Sequence, residues 1–334
     1  MEDKIDFVLL WVDGNDVKWQ EEKSKYDNTA KKNDESNSKI RYRDWGLLKY
    51  WFRSIEKNAP WVNRIFFVTC GQKPEWLNDD NEKIVLIDHK DFIPKEFLPT
   101  FNSNVIDLFI NKIPGLSEQF VYFNDDTFIV SKMNKEDFFE NGLPKDNFIF
   151  NAVSIQKMGN IIEHTILNNL EIVAKHFDKK DVIKRNLTKI YNIKYGKQNI
   201  KSLLLSPWKY YTGIENPHIP IPILKSTMDR VWELEYDDLI KIGNSKFRTK
   251  NDYNLWLFRY WQLCSGSFMP ASPKGNAFYG MNNDNSAFIK ELLSNKYKRV
   301  CINDSKEDLD FDKVKEEFNN AFQVMYPNKS SYEK

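Results

Sequence analysis

Cysteine is scarce: the chain has three among 334 residues, at 70, 264 and 301, with no CxxC pair. The odd number and wide spacing exclude a disulfide framework and a cysteine-held zinc site, and a reducing cytosol is the expected compartment. Long apolar runs are also missing, so no segment reads as a bilayer span. The opening MEDKIDFVLLWVDGND has a short apolar run between acidic flanks and no small-residue cleavage site, so it does not read as a signal peptide. Charge of one sign is not in excess either. The 49 Lys and Arg stand against 48 Asp and Glu, a net charge of +1. That balance argues against a dedicated nucleic-acid binder. Internal repeats and low-complexity tracts are absent. What the chain does have is aromatic residues, 15% of the total. They imply a large core or surfaces that stack on sugars, bases or lipid headgroups.

The first half alternates strands and helices. Residues 7–12 (FVLLWV), 65–70 (IFFVTC), 84–89 (IVLIDH) and 120–123 (FVYF) are continuous apolar runs of the kind found in buried parallel strands. A helix is expected from Leu47, Leu48, Trp51, Phe52 and Ile55 on one side, ended by Pro60. A second is expected from a cap at Asn102 or Ser103, with Val105, Ile106, Phe109, Ile110 and Ile113 on one face and Pro114-Gly115 as its stop. The polar stretch 27–38 reads as a loop. This order predicts an α/β fold with an open, mostly parallel sheet, Rossmann-like or GT-A-like, followed by a helical, aromatic-rich second half. Three regions are expected: an α/β core at 1–150, a basic, mostly helical insertion at 151–215, and residues 216–334 completing the core. Residues 179–201 carry eight Lys or Arg and one acid, Asp181. Residues 216–224, NPHIPIPIL, should be rigid and extended. The last thirty residues read as a charged helix, then frayed.

In open α/β sheets, ligands bind beyond the carboxyl ends of the strands. Here those ends read WVDGND, VTCGQ, IDHKD and YFNDD. Asn124-Asp125-Asp126 directly follows an apolar strand, so the two carboxylates can hold Mg²⁺ or Mn²⁺ and through it a diphosphate. A plain Asn/Asp turn is the competing reading. Asp107 lies beside the apolar stripe of its helix and, taken alone, reads as solvated. His218 is framed by prolines, which suits a catalytic imidazole or a structural one. Arg248 precedes a helix start expected at Asn251 or Asp252, where an arginine fork would add phosphate contacts; alone it reads as a surface arginine.

Four blocks resemble the Stealth family of sugar-1-phosphate transferases, which includes bacterial capsule-polymer phosphotransferases and the animal enzyme that adds GlcNAc-1-phosphate to lysosomal glycoproteins. The first is IDFVLLWVDGND, with Asp13 where many members have Asn. The second runs from RYRDWGLLKYWFRSIEKNAPWVNRIFFVTCGQKPEWLN through IDHKDFIP to LPTFNSNVIDLFINKIPGLSEQFVYFNDDTFI. The third is NPHIPIPILKSTMDRVWE, and the fourth lies within FRTKNDYNLWLFRYW. The resemblance implies catalytic roles for Asp126, Asp107, His218 and Arg248, with Asp107 one methylene shorter than the glutamate of the animal enzymes.

It further implies Mg²⁺ or Mn²⁺ at Asp126 with Asp125 or Asp107 assisting. Nucleotide-sugar contacts are expected from Trp11, Val12, Asp13, Gly14 and Arg43. The implied reaction moves a hexose-1-phosphate from a UDP-sugar to an acceptor-sugar hydroxyl and releases UMP. The acceptor would be an oligosaccharide on a polyprenyl diphosphate, and the enzyme cytoplasmic, at the inner face of the membrane. The basic stretch 179–201 would then touch anionic lipid, against the alternative of a solvated helix face. A metal-dependent glycosyltransferase releasing UDP and a carbohydrate-binding module are the rival readings.

Overall fold

The computed structural model describes residues 4–26, 42–155, 161–304, 306 and 308–334. The polar stretch expected to form a loop at 27–38 lies outside the described residues. In chain order the strands are β1 (Ile5–Leu10), β2 (Ile65–Thr69), β3 (Ile84–Asp88), β4 (Gln119–Phe123), β5 (Thr127–Ile129), β6 (Phe139–Glu140), β7 (Leu143–Asp146), β8 (Ile221–Leu224), β9 (Met269–Pro270), β10 (Asn276–Gly280) and β11 (Arg299–Asn303). The helices are α1 (Val17–Ser24), α2 (Leu48–Asn58), α3 (Ser103–Phe109), α4 (Ile162–His176), α5 (Lys179–Arg185), α6 (Leu187–Ile190), α7 (Gln198–Leu205), α8 (Lys225–Leu234), α9 (Tyr236–Ile242), α10 (Trp256–Ser265), α11 (Ser286–Leu293) and α12 (Phe311–Met325).

The main sheet has the order β3-β2-β1-β4-β8. β1 to β4 are parallel, with Val8 opposite Phe66 on one side and Tyr122 on the other. This is the open α/β sheet expected. Alternate residues of β1 point to opposite faces. Phe7 and Leu9 join a core with α2 and α12, whereas Val8 joins a second core with α3, α8 and α10. Both faces are therefore covered, as apolar parallel strands require. The one charge in β1, Asp6, is fully buried and accepts bonds from Asn63 Nδ2 at 2.6 Å and Ser117 N at 2.9 Å. The proline-rich segment forms the antiparallel edge strand β8, where Pro222 lies opposite Val121; an edge tolerates the missing N–H of proline.

A second sheet, β10-β11-β5, joins the first through the turn between β4 and β5. Its antiparallel β5–β11 pair brings residues near 300 against residues near 127. Three local expectations are corrected. The helix after Arg248 begins at Trp256, not at residue 251 or 252. Asp252 is fully buried and accepts from Asn102 Nδ2, Asn104 Nδ2 and Thr249 N, so it anchors a turn. The chain end is not frayed: Glu333 pairs with Arg53 through two bonds of 2.7 Å, and Tyr332 is buried. Asp107 is buried rather than solvated, because the short helix α3 is packed on all sides: every residue from Asn104 to Phe109 is buried.

Candidate active site

The sheet changes winding direction at β1. The chain steps outward from β1 to β2 and β3, then returns to place β4 on the other side of β1. The crevice at such a reversal is where open sheets bind ligands. Trp11 and Val12 leave β1 there, and Asn124-Asp125-Asp126 leaves β4. The acidic turn is closed by Thr127, whose N and Oγ1 donate to Asn124 O at 3.1 and 2.8 Å. Asp126 O then accepts from Ile302 N at 2.8 Å. That bond carries Asn303 and Asp304, at the end of β11, to the same place. With Arg43 and Asp44 from the approach to α2, and with His218 and Arg248, these residues wall a cavity of about 280 Å³.

The electrostatics are acidic and unbalanced. Asp126 Oδ2 accepts from Cys301 Sγ and Asn303 Nδ2, both at 3.3 Å. Its Oδ1 is buried with no hydrogen-bond partner among the described residues. Burial, then the neighbouring Asp126, holds the Cys301 thiol well above its ordinary value, so it remains a donor. Asp125 reaches solvent but sits on the cleft floor. Desolvation there, with Asp126 and Asp44 adding negative charge, pushes its carboxyl up to about 7. Arg43 faces Asp304 at 3.6 Å.

Those groups fit a divalent cation. Among the described residues no three His, Cys, Asp or Glu side chains converge as a metal cage. Mg²⁺ is commonly held by one or two carboxylates, with substrate phosphates and water completing its shell. A pair of crowded carboxylates with one bare buried oxygen matches that pattern, and hard oxygen donors suit Mg²⁺ and Mn²⁺.

Asp107 does not wall the cavity. It lies behind it, its carboxyl pushed up to about 7 by burial and held down partly by Tyr122, Leu255 N and Arg248. The Tyr122 hydroxyl is 2.6 Å from Asp107 Oδ1 and 2.8 Å from Asn124 Oδ1. A hydroxyl has one proton. Asp107 and Asn124 therefore share one donor, so the buried carboxyl is tied to the acidic turn. Arg248 is held by Ser103, its Nη2 donating to Oγ at 2.6 Å. His218 has φ +44°, a left-handed backbone that non-glycine residues rarely adopt. Its ring meets the Trp256 ring edge-on at 4.9 Å and the Phe278 ring at 5.4 Å.

Asp13 and Gly14 are not brought into the cavity wall. Asp13 N and O bond to the Gln72 side chain. A Cβ on Gly14 would lie 1.9 Å from Tyr42 O. The glycine thus lets the backbone before Arg43 approach, and its role is positional. Residues missed from sequence are Asp44, Tyr122, Asn303, Asp304 and Phe278. Asn303-Asp304 follows the short apolar run VCI as Asn124-Asp125 follows FVYF, and that repeated pattern is the available signal.

A larger cavity of about 1100 Å³ adjoins the first and shares His218, Arg248 and Asn303 with it. Its walls include Trp256, Phe278 and residues 151–154 and 161–163.

Two family models match the chain: Stealth protein CR1, conserved region 1, at residues 3–30, and Stealth protein CR2, conserved region 2, at residues 41–146. The chain is 46% identical over 332 residues to a capsular polysaccharide phosphotransferase, WcwK, of Streptococcus pneumoniae, covering 99% of this chain and 98% of the relative. The chain belongs to the Stealth family. It is also 44% identical to the receptor polysaccharide phosphotransferase WefC of Streptococcus gordonii, over the whole of both chains. The galactosyltransferase LgtC, solved with donor and acceptor sugar analogs, overlaps the fold with a TM-score of 0.41 at 10% identity, covering 96% of this chain and 95% of that one. The two matched Stealth regions contain Trp11, Val12, Arg43, Asp44, Asp107, Asp125 and Asp126. His218, Arg248 and Asn303 reach the same cleft from later in the chain.

Proposed function

We propose that the protein transfers a hexose-1-phosphate from a UDP-sugar to a hydroxyl of an acceptor sugar, leaving a phosphodiester in a capsular or cell-wall polysaccharide. One observation carries the reading. An acid-walled cavity and a larger, more neutral one meet at His218 and Arg248, in a chain matched end to end by relatives named polysaccharide phosphotransferases. The first suits the nucleotide diphosphate and the second suits the acceptor. Residues 151–215 frame much of that acceptor side. The acceptor is proposed to be an oligosaccharide on a polyprenyl diphosphate at the inner face of the membrane.

In the reaction, the acceptor oxygen attacks the β-phosphorus of the donor. The bond from that phosphorus to the oxygen bridging to the α-phosphorus breaks, and UMP leaves with that oxygen. His218, at the junction of the cavities, takes the hydroxyl proton. Arg248 lies beside the reacting phosphoryl group and stabilises charge on its oxygens. Asp126, with Asp125, would hold Mg²⁺ or Mn²⁺, which when bound neutralises diphosphate charge. Trp11 and Val12 contact the nucleotide, and Arg43 the diphosphate side. Phosphoryl transfer of this kind rests on positioning and charge more than on covalent catalysis.

Nucleotide release tests the proposal. The protein is incubated with Mg²⁺, a panel of UDP-sugars and oligosaccharide acceptors, and UMP is separated from UDP. Acceptor-dependent UMP is the expected product. UDP in its place would make this a conventional metal-dependent glycosyltransferase.

A further inference from the structure

Seven of the sixteen large apolar side chains exposed on the described surface fall between residues 187 and 210. Five of the seven lie on α7 or just after it. Gln198 and Lys201 line the larger cavity, buried Ser202 accepts at its Oγ from Phe150 N at 3.1 Å, and Leu205 packs on the core. Positions 198, 201, 202 and 205 share one helical face. The opposite face carries Ile200, Leu203 and Leu204, which are 61%, 56% and 70% exposed. Trp208 and Tyr210 follow at 63% and 72%.

This display is held in place. The Lys179 side chain is buried, and its ammonium donates to the carbonyls of Leu205, Trp208 and Tyr210 at 2.7, 3.0 and 3.2 Å. Several basic residues of the stretch therefore serve the fold: Lys189 and Lys194 likewise bond main-chain carbonyls, and Lys201 pairs with Glu215. Lys180, Lys184, Arg185, Lys197 and Lys209 are exposed, and Asp181 is the lone acid from 179 to 210.

We infer that α7 and the Trp208–Tyr210 loop dock the protein on an anionic bilayer. Aliphatic side chains with Trp and Tyr, set among exposed cations, are the composition that enters a lipid interface. The single sign of the charge favours an acidic surface over a second copy, whose matching patch would carry the same cations. Among the described residues no helix is long and apolar enough to cross a membrane, so the contact is lateral. One face of α7 would then lie on lipid while the other walls the acceptor cavity, placing a lipid-linked acceptor within reach of His218. That delivery role rests on the acceptor reading above; the docking does not.

The test is sedimentation of the full-length protein, without substrates, with vesicles of phosphatidylcholine alone or with about one third phosphatidylglycerol. Pelleting with the anionic vesicles only, weakened by salt, is expected. L203E/L204E should abolish it, and each of Lys197→Glu and Lys209→Glu should weaken it roughly fivefold. All variants should keep the circular dichroism spectrum and thermal midpoint of the parent, which shows that they fold. Wild-type protein left in the supernatant would overturn the inference. So would pelleting unchanged in L203E/L204E, or a solution dimer that L203E/L204E disrupts without any lipid binding.

Discussion

Asp126 and Asp107 show how burial assigns different work to two carboxylates. Asp126 Oδ1 has no hydrogen-bond partner among the described residues, so Asp126→Asn removes the charge proposed to hold a cation without breaking a structural bond at that atom. Turnover should be lost while the thermal midpoint stays within about 4 °C of the parent, read by nucleotide release and by calorimetry. Asp107 carries a pH signature. An ordinary aspartate ionises near 4, but Asp107 in the fold is pushed up to about 7. Below pH 4 both the folded and the unfolded chain hold this proton, so it costs nothing. Between 4 and 7 the unfolded chain ionises and the folded one does not, so stability falls as pH rises and levels off above 7. Asp125 acts in the same direction, so the difference between Asp107→Asn and the parent isolates Asp107. Denaturant titration should show the variant gaining on the parent as the pH moves from 5 to 8. The sequence places Asp107 beside an apolar stripe. It does not reveal that α3 is enclosed on every side, because the enclosing residues, Tyr122 and Leu255, come from other elements.

Helices and strands of the first half were legible because each carries its own periodicity and its own stop. Asn102 caps α3 as expected, and α2 ends before Pro60. The start of α10 was not legible. An aspartate before an apolar run reads as a cap, but Asp252 is occupied by two asparagines drawn in from residues 102 and 104. The aromatic α10 is almost wholly buried, and its one cation, Arg259, forms two bonds to Asp146 at 2.7 and 2.8 Å. Removing one member leaves an uncompensated buried charge, at a cost of about 3–5 kcal/mol. Arg259→Met should therefore lower the denaturation midpoint sharply, and adding Asp146→Leu should restore part of it. A second substitution that deepens the loss would show that the bond Asp146 Oδ1 accepts from Asn147 N, at 2.7 Å, outweighs the relief of the unpaired charge.

At the scale of the molecule, the site is assembled from segments that lie far apart in the sequence. Residues 11–12, 43–44, 124–126, 218, 248 and 303–304 meet in one cleft. The family blocks pointed to most of these. Asn303-Asp304 went unseen because β11 is five residues long and its pairing with β5 spans more than 160 positions. The two joined cavities predict separable defects. Phe278 is 55% exposed in the larger cavity, with its ring beside His218. Phe278→Ala should raise the KM for acceptor about tenfold and leave the KM for donor unchanged, as seen by varying each substrate in turn. The order of the sheet has a further consequence, for synthesis on the ribosome. β4 is complete by Phe123, but the strand that covers its outer edge, β8, begins at Ile221. For about a hundred residues of elongation, a strand whose every residue is buried in the finished fold has an open edge, which is a template for pairing with another nascent chain. Translation pauses in that interval, or removal of the chaperones that shield it, should cost yield more than the same disturbance after β8 has emerged.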